Sequence, residues 1–218
     1  MPDRTFRQRA LCGKIPAGGL GRMAAAAAWV PLRALSCFAG ASVTETPVAH
    51  DPFRILVGWP AIAAEPAEAI RAFWSREGAL TDPGEVDQRL RQVVVYATGA
   101  DGDIAGVATA LPCVPPRFGQ PVYYLRTFVG RAARGRLLMR ELTVRACAVL
   151  EDYERQRGFA YIGVLVELEN ARFGEALRRP VWGHPPFHYV GLSPRGLEMR
   201  ALFFKGAMLK APSGIKPT

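Results

Sequence analysis

The stretch from Val122 to Leu168 constrains this chain more than any other. Val122–Val129 (VYYLRTFV) is apolar, aromatic and β-branched at its ends, and it reads as a strand. A helical pattern then runs from Gly135 to about Arg157. Leu138, Leu142, Ala146, Val149, Leu150 and Tyr153 share one face of it, and Gly158 stops it. Tyr161–Leu168 (YIGVLVEL) is a second, buried-type strand. Two strands joined through a helix of this length form a crossover unit, so they run parallel.

The flanking segments extend this unit into a mixed α/β sheet. Phe53–Trp59 reads as a first strand. Ala69, Ile70, Phe73 and Trp74 mark one face of a helix that Gly78 ends. TDPGEVDQRLRQ adds a short helix with Thr81 or Asp82 as cap. Two strand runs flank GADGD, which has hairpin chemistry, and the loop PPRFGQP leads into Val122. After Leu168, ENARFGEALRR reads as a short helix stopped by Pro180. FHYVGL and EMRALFFKG then flank the turn SPRG. The predicted order is β-α-α-β-β-β-α-β-α-β-β: an α/β (α+β) fold with a central sheet that is mostly antiparallel.

Charge narrows the partners. The 218 residues carry 28 Lys/Arg and 19 Asp/Glu, a net charge of +9, which favours anionic ligands. The excess is spread out, at six bases against two acids in residues 1–50 and twenty-two against seventeen in 51–218. No run of five basic residues occurs, so no nucleic-acid partner is expected. The four cysteines form no C-x-x-C pair and there are three histidines, so no metal site is expected. Cys147 falls inside the helical pattern as a small core residue, and a reduced, cytoplasmic protein is the simplest reading. The alanine-rich start is interrupted by Pro31 and Arg33 and is too short to span a membrane. Residues 1–50 read as a basic, disordered leader or a start placed upstream of the true one, and 51–218 as one domain.

The loop ahead of the long helix carries the most chemistry. After a strand ending TFVG it reads Arg134-Gly135-Arg136-Leu137-Leu138-Met139, followed by RELTVRACAVLEDY, and Asn170 comes just after the next strand. With the element order over Phe53–Lys210, this resembles the GCN5-related N-acetyltransferase (GNAT) superfamily. That family's cofactor loop reads R/Q-x-x-G-x-G/A. The leading Arg is kept, and Leu137 and Met139 replace both motif glycines. The resemblance implies a GNAT-like mixed sheet with helices on both faces and a splayed parallel pair. It implies an acetyl-CoA or other acyl-CoA co-substrate bound by Phe128, Val129, Arg134, Gly135, Arg136, Leu137, Leu138, Met139 and Asn170. It further implies direct acyl transfer to an amine, whose identity stays open. The physical basis is an anion site: a helix start presents unpaired N–H groups and partial positive charge, and successive loop amides converge on phosphate. Arg131, Arg134 and Arg136 add charge-assisted contacts, or form a solvated helix start.

Candidate catalytic groups are fewer. Glu167 and Glu169 alternate onto one strand face as bases, or as strand-end carboxylates paired with arginine. Tyr124 shares its face with Arg126, as substrate contact, proton donor or packing. A buried Arg126 requires a carboxylate or a ligand, and Glu167 or Glu169 could be that partner. An oxyanion donor would come from the backbone N–H near Phe128 or Val129. The tyrosine that the family often places seven residues after the asparagine is Leu177 here. VWGHPPFHY gathers His184 and His188 among aromatics, as proton carriers or as cover for a core edge. A non-catalytic GNAT-like binding domain is the alternative function, and a homodimer is left open.

Overall fold

The computed structural model describes residues 53–135, 137–169, 179–183 and 185–210. Its elements are β1 (Arg54–Val57), α1 (Ala64–Arg76), α2 (Pro83–Leu90), β2 (Val93–Thr98), β3 (Ile104–Cys113), β4 (Val122–Val129), α3 (Leu138–Arg155), β5 (Gly163–Glu167), β6 (His188–Leu192) and β7 (Glu198–Phe203). The described strands form one sheet in the order β1-β2-β3-β4-β5-β7-β6. Neighbours run antiparallel except β4 and β5. The crossover rule therefore placed the parallel pair where the sequence put it. ENARFGEALRR lies, apart from its ends, outside the described residues.

Alternation along the strands sends side chains to two helical layers. Ala108 and Ala110 of β3, with Tyr123 and Leu125 of β4, pack beneath Leu138, Leu142, Ala146 and Leu150 of α3. Val107, one residue from Ala108, belongs to the opposite layer with Ile70, Phe73 and Trp74 of α1 and Val86 and Leu90 of α2. Helices thus cover both faces. The approach of α3 to the sheet is close: a Cβ on Gly106 would stand 2.8 Å from Leu142 Cδ1 and 3.2 Å from Phe128 O.

Local chemistry sets most boundaries. Asp82 caps α2, its Oδ1 accepting from Glu85 N–H at 2.7 Å, with Pro83 in the first turn. Gly78, with φ +62°, follows the end of α1. The GADGD hairpin closes through Gly99 N–H to Asp103 O and Asp103 N–H to Asp101 Oδ1. Cys147 is buried, and burial pushes its thiol up to about 12, as fits an inert core residue.

One boundary differs from the expectation. α3 begins at Leu138, three residues after Gly135. A 3-10 turn spans Arg131–Ala133, and Gly135 (φ +81°) and Leu137 (φ +56°) are left-handed, so right-handed helix cannot start before Leu138.

Candidate functional site

The parallel pair sets the geometry. β4 and β5 are in register at two positions, Tyr123 with Val164 and Tyr124 with Leu165. Beyond Tyr124, β4 continues five residues to Val129 without pairing to β5. This is the splay that the resemblance implied, and β4 leads from it to the start of α3.

Which backbone groups face the splay follows from strand geometry. A residue's N–H and C=O point to the same strand edge. Pro121 O accepts from Ile162 N–H on the β5 side, and Gly130 N–H donates to Ala105 O on the β3 side. The N–H groups of Leu125, Thr127 and Val129 therefore lie on the β5 edge. That of Phe128 lies on the β3 edge. Of the two residues expected near an oxyanion, Val129 turns its N–H to the splay, whereas Phe128 turns its N–H to β3 and packs its ring edge-on against Phe73, with ring centroids 5.6 Å apart.

The start of α3 is open. The N–H groups of Gly135, Leu137, Leu138 and Met139 donate to no described residue, and no side chain caps the helix. They are four orphan donors at the positive end of an 18-residue helix. Leu138 is in the core, whereas Leu137 is 67% and Met139 42% exposed. The two residues that replace the motif glycines thus project outward and leave the core to Leu138. Leu137 occupies a left-handed conformation that suits glycine better than a branched side chain. Arg134 is exposed, and its Nε donates to Val129 O at 3.3 Å. Arg131 is exposed too, and its backbone N–H donates to Glu77 Oε2 at 3.1 Å, so that amide is already satisfied. Arg136 and Asn170 lie outside the described residues, as do Leu177 and His184.

Beside the splay, Tyr124 and Glu167 meet: Tyr124 Oη donates to Glu167 Oε2 at 2.8 Å. Arg195 Nη1 donates to the same oxygen at 3.2 Å and to Glu169 Oε1 at 3.2 Å. The Glu167 side chain is fully buried, and its Oε1 has no hydrogen-bond partner among the described residues. Glu169 is largely exposed. Burial first, and the Glu167 charge second, hold Tyr124 well above the ordinary tyrosine range, so it remains a neutral phenol. Partial burial lowers the Arg195 pKa, but Glu167 and Glu169 more than offset this and it ends raised.

Arg195 was not anticipated; SPRG was read only as a turn. Its backbone explains why the turn can carry the contact. Ser193 Oγ accepts from the N–H groups of Arg195 and Leu197, fixing the residue over the end of β5. The arginine joining both glutamates is therefore Arg195, while Arg126 Nη2 donates to Gln92 Oε1 at 3.0 Å and its guanidinium lies 5.6 Å from the Tyr124 ring. Of the aromatic run near Pro180, Phe187 is buried and Trp182 lies under the Arg200 guanidinium at 4.2 Å, as expected of a core-edge cover. His188 is exposed on β6. Among the described residues no group of three or more His, Cys, Asp or Glu is placed to hold a metal ion. Likewise no described helix is long and apolar enough to cross a membrane.

The seven-stranded mixed sheet, its splayed parallel pair and the open helix start beside it make this a GNAT-like fold. Among solved structures, the chain is similar to a GNAT-family acetyltransferase from Listeria monocytogenes, at 16% identity over 69% of this chain and 94% of that one, with a TM-score of 0.45. It is also similar to a GNAT-family acetyltransferase from Streptococcus pneumoniae (11% identity, 70% and 99% coverage, TM-score 0.43). A third is the ribosomal-protein-S18-alanine N-acetyltransferase of Escherichia coli (15% identity, 75% and 99% coverage, TM-score 0.41). No protein-family model matches the sequence, and no curated protein matches it.

Proposed function

We propose that residues 51–218 form an acyl-CoA-dependent N-acyltransferase that moves an acyl group, in the simplest case acetyl, directly to an amine. The observation that carries this reading is the buried Oε1 of Glu167, without a hydrogen-bond partner among the described residues, beside a parallel strand pair that opens after two registered positions. A buried carboxylate oxygen without a donor is costly, and a ligand that brings an N–H to it removes the cost.

The residues suit the donor. The open amides at Gly135 and Leu137–Met139, with Arg134 beside them, would hold its phosphates. Its amide-rich arm would pair along the unpaired edge of β4, and Val129 N–H would meet the thioester oxygen. The amine enters neutral, having lost a proton to solvent. Its nitrogen attacks the thioester carbonyl carbon. The carbon–sulfur bond breaks and sulfur leaves with the electron pair. The proton released by nitrogen passes to Glu167 Oε1, directly or through one water, and from there to the thiolate. Tyr124 orients Glu167 through its hydrogen bond. A phenol held this far above the tyrosine range is a poor acid for a thiolate, so Tyr124 acts here as a positioning residue and substrate contact. Glu169 is better placed at the mouth, attracting a cationic acceptor, than as the base.

Thermal unfolding with and without acetyl-CoA and longer acyl-CoAs tests the donor. At a hundred times Kd, mass action adds about 2.7 kcal/mol. Thiol release over a panel of amines then tests transfer. Binding without thiol release for any amine would favour a non-catalytic GNAT-like domain. No shift with any acyl-CoA would remove free acyl-CoA as the donor.

A further inference from the structure

The loop that opens α3 carries features that a free nucleotide-linked thioester does not require. Leu137 and Met139 are large apolar residues left in solvent two positions apart. Leu137 is also held at φ +56°, which disfavours any side chain. Glycine at this position would remove both penalties and admit a diphosphate more closely. Around the pair, the ten residues Arg131–Arg140 contain four arginines and no acid. Arg131, Arg134 and Arg140 are exposed. Glu77, which pairs with Arg131, and Glu141 in the first turn of α3 are the acids beside it, and an apolar centre among mainly positive charges is the composition of a docking surface for a partner of opposite charge.

We infer that this surface docks an acidic carrier protein, whose phosphopantetheine arm delivers the acyl thioester into the β4–β5 splay. The inference rests on the acyltransferase reading above and changes the source of the donor. Charge complementarity selects the partner: carboxylates along a carrier helix would meet Arg131, Arg134 and Arg140, and its apolar residues would cover Leu137 and Met139. A carrier-borne arm also brings one phosphodiester where coenzyme A brings a diphosphate, so it asks less of a loop that carries leucine and methionine at 137 and 139. Free acyl-CoA would leave both apolar side chains in water.

The test measures binding by isothermal titration of the full chain with two donors: acetyl-CoA, and an acidic acyl carrier protein loaded as its acetyl-phosphopantetheinyl form. The loaded carrier should bind in the micromolar range at 50 mM salt and lose about tenfold or more at 300 mM. Arg140→Glu should weaken carrier binding about tenfold and leave acetyl-CoA binding unchanged. The double variant Leu137→Ser/Met139→Ser should weaken the carrier more than acetyl-CoA; circular dichroism verifies folding of each variant. Equal carrier binding by wild type and all variants overturns the inference, as does a stronger response to anionic phospholipid vesicles than to the carrier. Binding of acetyl-CoA alone also overturns it while leaving the acyltransferase reading intact. Failure of both donors removes that reading as well.

Discussion

Glu167 has an uneven environment. One oxygen has two donors, Tyr124 and Arg195, and the other has none among the described residues, although the side chain is fully buried. Glu167→Gln is expected to cut the acylation rate by about 100-fold or more while acyl-CoA affinity stays within about threefold. Steady-state kinetics with the best amine of the panel, alongside a binding titration, would separate the two effects. A second residue-scale case is Leu137, whose left-handed backbone stores strain. Leu137→Gly is expected to raise stability by up to about 1 kcal/mol, read from the urea midpoint; a loss would show that the exposed side chain holds the loop in the isolated protein. The sequence named both residues, but for different reasons. Glu167 was visible as an alternating strand-end carboxylate, and Leu137 only as a departure from a motif. Their contacts were hidden, because Arg195 is 28 positions from Glu167 and nothing in SPRG distinguishes a turn arginine that reaches a carboxylate from one that does not.

At the scale of elements, α3 is fixed at both ends by different means. Its start leaves backbone amides open among the described residues, while its last turn is locked to the sheet by Glu154. This carboxylate is buried, accepts from Tyr123 Oη at 2.6 Å and from Tyr161 N–H at 3.0 Å, and so ties helix, β4 and the approach to β5 together. Tyr123 stacks on Tyr161 with ring centroids 4.3 Å apart, completing the joint. Glu154→Leu would strand one buried and one partly buried donor, and a loss of about 3 kcal/mol is expected in equilibrium denaturation. The apolar stripe Leu142, Ala146, Leu150 continues by four to Glu154, so a carboxylate on the buried face was legible as an exception to the pattern. α2 offers a milder case: Asp82→Ala removes the cap of an eight-residue helix and should cost about 1 kcal/mol, seen as a lower melting temperature.

For the whole molecule, the buried tyrosines couple folding to pH. Burial first, then Glu154 for Tyr123 and Glu167 for Tyr124, raise both phenols above their ordinary values. A raised folded-state pKa contributes stability that is fully present below the unfolded value, about 10, and is lost as pH climbs toward the folded value. Stability should therefore be flat in this respect up to about pH 9 and then fall by up to about 1.4 kcal/mol per pH unit for each tyrosine. Urea melts from pH 8 to 11 on wild type and Tyr123→Phe would register the difference, and an unchanged slope in the variant would assign the effect elsewhere. The sequence by itself determined the order of the described elements, the parallel β4–β5 pair and the placing of a loop with unusual residues before α3. These follow from hydrophobic period, turn residues and the crossover rule, all of which act over a few neighbours along the chain. Only the tertiary structure decided where α3 begins, which amides of β4 face the splay, and that Arg195 rather than Arg126 bridges the two glutamates. Those outcomes depend on β7 lying beside β5 and on the edge each strand presents to its neighbour, and such distant pairings leave no trace in local spacing.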